Sequence, residues 1–226
     1  MIITSDDRRA KALRVYQLLL DHYGEPVLKE QRDPLSELVM TILSQNTSDV
    51  NSSRAYESLR RRFPTWEEVL SAGADDVAES IRSGGLANIK APRIQHILHE
   101  LRDERGDFDL SFLREMSVQE GREYLNALPG VGPKTAACVL LFSLHKPALP
   151  VDTHVYRVAR RLALIPDKAS PGKATVLLEA SLPQEAYYPF HLNMIRHGRT
   201  LCRARNPHCE DCPLVLECGY FETMNG

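Results

Sequence analysis

The residues of this chain that could do chemistry are a lysine, an aspartate and a group of cysteines. Lys134 follows two glycines in LPGVGPKTA (128–136), and Asp152 stands eighteen residues further on in PVDTHVYRV. A lysine amine held neutral is a nucleophile that forms imines, and a carboxylate can assist its deprotonation. Four cysteines within 17 residues near the C-terminus could bind a metal ion or an iron–sulfur cluster.

The glycine stretch predicts two helices joined by a tight turn with an anion site. EGREYLNAL before it has helical spacing, and Pro133 suits the first position of the next helix. Gly130 and Gly132 let the backbone approach a ligand and point N–H groups outward, beside the positive end of that helix. A DNA phosphate is the natural occupant. An ordinary glycine-terminated helix turn is the alternative.

Lys134 and Asp152 each have a simple explanation and a catalytic one. The positive end of a helix disfavours a cation, so stability alone would favour an acid at position 134. A nucleophile and a phosphate ligand would both account for this lysine. Asp152 stands at the start of another predicted helix, where capping is a sufficient reason for an aspartate.

The four cysteines have unequal spacing. Cys202, Cys209, Cys212 and Cys218 are separated by six, two and five residues. Zinc modules more often pair two C-x-x-C knuckles, and this set contains one. Ligand chemistry alone does not choose between an iron–sulfur cluster and zinc, and unpaired structural cysteines are a third alternative. Cys138 lies among apolar residues and is expected in the core.

Positive charge is concentrated in two stretches of a mildly acidic chain. The formal net charge is −2, with 43% hydrophobic and 26% charged residues among 226. Residues 121–161 contain six Lys or Arg against two acids, and residues 196–205 contain four arginines and no acid. Such clusters permit binding to a polyanion, although solvated helix faces explain them equally well. No apolar run reaches the roughly 18 residues of a membrane span, so we expect an intracellular protein.

The apolar spacing predicts an all-α fold. Ser5 is expected to cap the first helix, which stops at Gly24, and Asp33-Pro34 opens the second. Capping-box patterns begin at Thr65 and Ser117. Further helical runs are expected at residues 75–83, 93–102, 133–144, 153–162 and 173–180.

Six segments along the chain resemble the endonuclease III branch of the helix–hairpin–helix DNA glycosylases. They are LSQNTSD (43–49), GGLANIKA (84–91), LPGVGPKTA, VDTHVYRV (151–158), HGRTLC (197–202) and the final cysteine cluster. The resemblance implies a bifunctional base-excision repair enzyme that removes oxidised pyrimidines from duplex DNA and cleaves the abasic site by β-elimination. It implies Lys134 as the nucleophile, Asp152 as the catalytic aspartate and a [4Fe–4S] cluster on the cysteines.

The resemblance also implies loops that contact DNA. The family's glutamine that fills the gap left by a flipped base aligns with Asn46, which leaves the filling residue ambiguous between Gln45 and Asn46. Leu86 matches an apolar wedge in the opposite strand, with a core leucine as the alternative. His154 could contact substrate or phosphate, and is equally well explained by packing. The remaining predicted DNA contacts are Gly130, Gly132, Arg203 and Arg205.

Two helical lobes flanking a DNA-binding cleft complete the expected architecture, in a monomer. Residues 31–146 would form a central six-helix domain with the hairpin, and residues 1–30 with 147–226 a discontinuous domain with the cluster. We expect the protein in the cytoplasm of a prokaryote, associated with the nucleoid. Two other functions stay open: a monofunctional mismatch or adenine glycosylase, which Lys134 opposes, and a non-catalytic zinc-stabilised DNA-binding scaffold, which Asp152 and the cysteine spacing oppose.

Overall fold

Side-chain caps begin most of the helices in the computed structural model, which describes residues 4–27 and 32–225. The predicted capping boxes at Thr65 and Ser117 are both present, with reciprocal hydrogen bonds between the cap and the glutamate three residues on. The cap of the first helix is Thr4 rather than Ser5. Thr4 Oγ1 accepts a hydrogen bond from the Asp7 N–H, and Ser5 is already helical.

Twelve α-helices occupy the described residues, and no β-strand occurs among them, which confirms the predicted all-α fold. The helices are α1 (Ser5–Tyr23), α2 (Pro34–Ser44), α3 (Asp49–Arg62), α4 (Trp66–Ser71), α5 (Ala74–Ser80), α6 (Ala87–Arg105), α7 (Val118–Ala127), α8 (Pro133–Cys138), α9 (Thr153–Arg161), α10 (Pro171–Ser181), α11 (Tyr187–Thr200) and α12 (Gly219–Asn225). Short 3₁₀ helices lie at Arg82–Gly84, Ser111–Arg114, Gln184–Ala186 and Val215–Glu217. The helical run expected at 133–144 is α8 continued by a π-helical segment, Val139–Ser143.

The chain divides into two compact units, residues 31–146 and residues 1–30 with 147–226. The first, here called the central unit, contains α2 to α8 in its described part. That is seven α-helices where six were expected. The second, here called the split unit, contains α1 and α9 to α12.

Helix α2 is at the centre of packing in the central unit. Its side chains from Leu35 to Leu43 are almost all buried, and it packs against α3, α6, α8 and the π-helical segment. Helix α6 packs in addition against α4 and α5. These contacts bring the C-terminal end of α2 next to the N-terminal end of α6, where Lys90 donates to the Leu43 carbonyl.

Helices α9 and α11 form the core pair of the split unit. Val155, Val158, Phe190 and Met194 are buried there, and α1 covers α10 and α11. The terminal helix α12 packs against α9. Among the described residues, no helix combines the length and the apolarity that crossing a membrane would require.

Candidate active site and cysteine loop

The predicted hairpin forms in the central unit between α7 and α8. Gly130 has a φ of 70°, the left-handed region that favours glycine, and Gly132 is the N-cap residue of α8. The side chain of Arg93 on α6 lies against Gly130, where an added Cβ would overlap with Arg93 Nε. The backbone conformation therefore favours glycine at position 130, and a larger residue there would also displace the Arg93 side chain.

Lys134 is the second residue of α8 and is half-buried. On α2, which packs against α8, the Glu37 side chain is only 13% exposed. Burial raises the pKa of Glu37, and the positive charges of Arg32 and Lys134 oppose that rise. Lys134 thus shares its surroundings with a carboxylate that the sequence analysis did not single out. The available signal was one acid within an otherwise apolar helix.

Asp152 is the N-cap residue of α9 in the split unit. Its Oδ1 accepts a hydrogen bond of 2.7 Å from the Val155 N–H, and the residue is half-buried. The simple explanation of this aspartate is therefore present, and the cap fixes the carboxylate at the first turn of α9. Lys134 belongs to the central unit and Asp152 to the split unit, and their catalytic roles stay predictions.

His154 lies against its own helix and α11. Its Nδ1 is 3.1 Å from Arg157 Nη2, which also donates to the Gly198 carbonyl at 2.7 Å. A Cβ on Gly198 would be 3.0 Å from His154 Cβ, so the two helices approach closely at this point. Packing accounts for His154, and a contact with DNA remains a prediction.

Two loops of the central unit carry the residues predicted to enter DNA. The Asn46 loop (residues 45–48) follows α2, and the Leu86 loop (residues 82–86) precedes α6. Gln45 Oε1 accepts from Arg93 Nη1 at 3.1 Å, whereas Asn46 is exposed and has a φ of 55°. Leu86 is 47% exposed, so the alternative that it is a core leucine is wrong.

Lys90 connects the two loops and was missed by the sequence analysis. The residue is 1% exposed, and its Nζ donates to the carbonyls of Leu43 (2.7 Å), Gln45 (2.8 Å) and Gly84 (2.9 Å). Burial lowers the pKa of Lys90, and the nearby charge of Arg93 lowers it further. The only signal in the sequence is a lysine in register with the buried side chains of α6, such as Ile94 and Ile97.

The four cysteines lie together in the cysteine loop (residues 201–218) of the split unit. All four line one cavity, together with Arg161, Leu201, Pro207, His208 and Tyr220. Cys218 is buried and the other three are half-buried. Burial raises the pKa of the Cys212 thiol to about 11 and also raises that of Cys218. Within the described residues, no three His, Cys, Asp or Glu side chains form a group suited to one metal ion.

Arg161 holds the first part of the cysteine loop. Its Nη1 is 3.2 Å from Cys202 Sγ and donates to the Arg203 carbonyl at 2.7 Å, while Nη2 donates to the Ala204 carbonyl at 3.2 Å. The guanidinium also lies over the ring of Tyr220. Arg203 and Arg205 are exposed, as a phosphate-facing loop would require.

His197 supports the loop from α11. Burial lowers its pKa to about 4, so the ring is neutral at pH 7. Its Nδ1 is 3.1 Å from the Tyr23 hydroxyl, and its Nε2 is 3.6 Å from Cys212 Sγ. Arg161 thus places an N–H donor beside the Cys202 sulfur, and a ring nitrogen of His197 lies beside the Cys212 sulfur. This environment suits thiolates bound to a metal group, because hydrogen bonds to sulfur stabilise the anionic form.

Comparison with known proteins shows which family this chain is similar to. The profile of the HhH-GPD superfamily base excision DNA repair proteins matches residues 39–184. A candidate DNA glycosylase of Arabidopsis thaliana is 38% identical over 96% of this chain and 78% of its own length. Endonuclease III of Thermotoga maritima is 34% identical over 85% of each chain.

Solved structures agree with that assignment. An endonuclease III in a non-covalent complex with DNA matches with a TM-score of 0.84 and 27% identity, over 96% of this chain and 97% of the other. A trapped covalent endonuclease III–DNA intermediate matches with a TM-score of 0.83 and 27% identity, over 99% of both chains. The resemblance to endonuclease III is therefore confirmed, and the chain belongs to the HhH-GPD superfamily of base excision DNA repair proteins.

Proposed function

We propose that the protein is an endonuclease III-like DNA glycosylase and abasic-site lyase that removes oxidised pyrimidines from duplex DNA. The observation that carries the proposal is Lys134 in the first turn of α8, directly after a hairpin whose turn has Gly130 in the left-handed conformation that favours glycine. The covalent DNA intermediate of a structurally similar endonuclease III supports an enzyme-bound step. The similarity to a named endonuclease III supports the same reaction class.

DNA binding would use the exposed turn and loops. The Gly130 turn presents backbone N–H groups at the start of α8, where a phosphate is favoured. Arg203 and Arg205 would contact further phosphates. The protein would bind the duplex as a monomer. Asn46 and Leu86 are exposed in their loops. When a base is flipped out, Asn46 is suited to fill the gap that the base leaves, and Leu86 is suited to insert as a wedge in the opposite strand.

Lys134 would act as the nucleophile once the damaged base is extruded. The neutral amine attacks the sugar C1′, the bond from C1′ to the base breaks, and the base leaves with a proton. The attacking nitrogen supplies that proton, and its second proton passes to the ring oxygen as the C1′–O bond breaks and the sugar opens to an imine between C1′ and Nζ. The imine makes the C2′ hydrogen acidic, so its removal breaks the C3′–O bond and cuts the strand 3′ to the site. Water then releases Lys134.

Asp152 would assist the first of these steps. Its carboxylate would aid deprotonation of the lysine and stabilise positive charge developing on the sugar. Since Oδ1 already accepts the Val155 N–H, the cap fixes the side chain before any substrate binds. A fixed carboxylate needs no reorganisation during the reaction, which favours electrostatic stabilisation.

We further propose that Cys202, Cys209, Cys212 and Cys218 hold a [4Fe–4S] cluster. A bound cluster supplies a cross-link among four positions of a loop with little regular structure. Arg161 and His197 would orient two of the sulfurs, and the loop would present Arg203 and Arg205 to DNA. The cluster is assigned a structural role and takes no part in base excision.

Borohydride trapping on duplex DNA with an abasic site tests the proposed nucleophile. The wild-type protein should give a covalent adduct, and Lys134→Ala should abolish it. Lys173→Ala, an exposed lysine of α10, is the control and should leave trapping unchanged. Trapping that survives Lys134→Ala would overturn the assignment.

The same assay on a panel of damaged bases tests the substrate class. Thymine glycol should be excised and trapped, because the proposal assigns oxidised pyrimidines. Undamaged adenine in a mismatch should not. Excision confined to mismatched adenine, with no trapped adduct, would replace the proposal with the monofunctional alternative.

A further inference from the structure

Both loops predicted to enter DNA are attached to one buried side chain. The Lys90 ammonium donates to Leu43 and Gln45 at the end of α2 and to Gly84 in the Leu86 loop. An ammonium has three N–H donors, so these three carbonyls use all of them. A single atom, Lys90 Nζ, thereby joins Leu43 and Gly84, which are more than 40 positions apart in sequence.

The position of the charge explains why a buried lysine is stable there. The last carbonyls of a helix lack partners within the helix and carry partial negative charge. Lys90 places its cation at the C-terminal end of α2, where those carbonyls point. Removing the amine would leave the carbonyls of Leu43, Gln45 and Gly84 without this donor, and unsatisfied carbonyls away from water are unfavourable.

In the two loops that Lys90 joins, Asn46 and Leu86 have a left-handed backbone, which is strained for residues other than glycine. Asn46 and Leu86 have φ values of 55° and 52°, and Gly85 has a φ of 69°. Non-glycine residues persist in this region only where the surrounding structure determines it. Asn46 directly follows Gln45, whose carbonyl is bound by Lys90. Leu86 lies two residues after Gly84, whose carbonyl is also bound by Lys90.

We propose that Lys90 is a positioning residue that fixes the Asn46 loop and the Leu86 loop relative to each other, so that both enter the duplex together. The inference rests on the proposed function. In this role Lys90 contacts neither DNA nor the reacting sugar. It acts through the backbone of the two loops, which lie within the same unit.

Base extrusion measured apart from chemistry tests the proposal. The substrate is duplex DNA with 2-aminopurine beside an abasic-site analogue, whose fluorescence rises when stacking is lost. Lys90→Met retains the length of the side chain without its donors, and should reduce the fluorescence gain by about tenfold or more at matched occupancy. Trapping on single-stranded abasic DNA, which needs no extrusion, should change less than about threefold. A matched control is Lys146→Met, whose Nζ donates to the Met116 carbonyl in the same unit, and it should change neither readout.

Three results would overturn or separate the claims. An unchanged fluorescence gain in Lys90→Met would overturn the role of Lys90, and so would an equal loss of extrusion and of single-stranded trapping. Wild-type extrusion without any trapping would contradict the proposed lyase function while leaving the positioning role supported.

A double-mutant cycle tests the coupling between the Asn46 loop and the Leu86 loop, even if Lys90→Met does not fold. Asn46→Ala, Leu86→Ala and the pair are compared by the same fluorescence gain. If the loops act together, the effect of the pair should differ from the product of the single effects by about threefold or more. Effects that multiply independently would overturn the proposal.

Discussion

The DNA-facing loops of the central unit and the cysteine loop of the split unit are stabilised in opposite ways. In the central unit, Lys90 and Arg93 on α6 donate to acceptors in the loops, so the chain itself supplies the partners. In the cysteine loop, Arg161 and His197 approach two sulfurs, but four thiols still line a cavity. The first region should fold from the chain alone, and the second should depend on a bound group.

Loss of one cysteine ligand should have the largest effect on this comparison. Cys212→Ser should remove the brown iron–sulfur absorbance and open the cysteine loop, lowering local stability by more than about 4 kcal/mol. Iron content and amide hydrogen exchange of residues 201–218 measure the two effects. Cys138→Ser, a buried cysteine of the central unit, should keep the iron and lose no more than about 2 kcal/mol.

A colourless wild-type protein with stoichiometric zinc would contradict the cluster. Unchanged exchange in the cysteine loop of Cys212→Ser would contradict the dependence of that region on a bound group. Either result would make the two regions more alike than the structure indicates.

Substitution of the hairpin glycine should have an intermediate effect. Gly130→Ala introduces a side chain at a φ of 70° and displaces Arg93, so we expect a loss of about 2–3 kcal/mol together with weaker DNA binding. Gly106→Ala is the matched control, because its φ is 79° and nothing lies within 4 Å of an added Cβ. That control should lose only about 1 kcal/mol and bind DNA normally. Urea unfolding and fluorescence anisotropy measure both quantities, and equal losses would exclude a role for the Arg93 contact.

Neutralising the buried acid of the central unit should have the smallest effect. Burial raises the pKa of Glu37 above its ordinary value, so ionisation destabilises the folded state. The penalty is absent below the ordinary pKa and grows as pH rises through the folded-state pKa. Glu37→Gln should therefore match the wild type at pH 4 and be more stable at pH 7.5, by less than about 1 kcal/mol.

Urea unfolding midpoints at the two pH values provide the measurement. Glu57→Gln, on the exposed side of α3, is the control for replacing a glutamate on the surface. A Glu37→Gln protein that is less stable at pH 7.5 would mean that the ion pair with Arg32 outweighs the burial of the carboxylate.

The fold class and the helix starts could be predicted because they depend on neighbours in sequence. The boxes at Thr65 and Ser117 require only the glutamate three residues later. Helix α3 was not predicted, since it buries only Ser52, Ala55 and Leu59 in 14 residues and its apolar spacing is sparse. Its cap at Ser48 was the available signal.

The candidate site was predictable only in part, for the same physical reason. Gly130, Lys134 and Asp152 could be placed at helix starts from local glycine, proline and aspartate signals. Lys90 could not be understood from its neighbours, because two of its acceptors lie 45 and 47 residues away. Such partners are brought together only by packing between helices.

At Asp152, folding and the proposed catalytic activity depend on different properties of the same side chain. Folding uses one oxygen of this side chain, as the acceptor for the Val155 N–H, whereas the proposed chemistry uses its negative charge. Asparagine retains such an oxygen and is an equally good N-cap residue. Loss of charge at position 152 would therefore produce an inactive protein that remains folded and still occupies damaged sites, a competitor for repair rather than an absent enzyme.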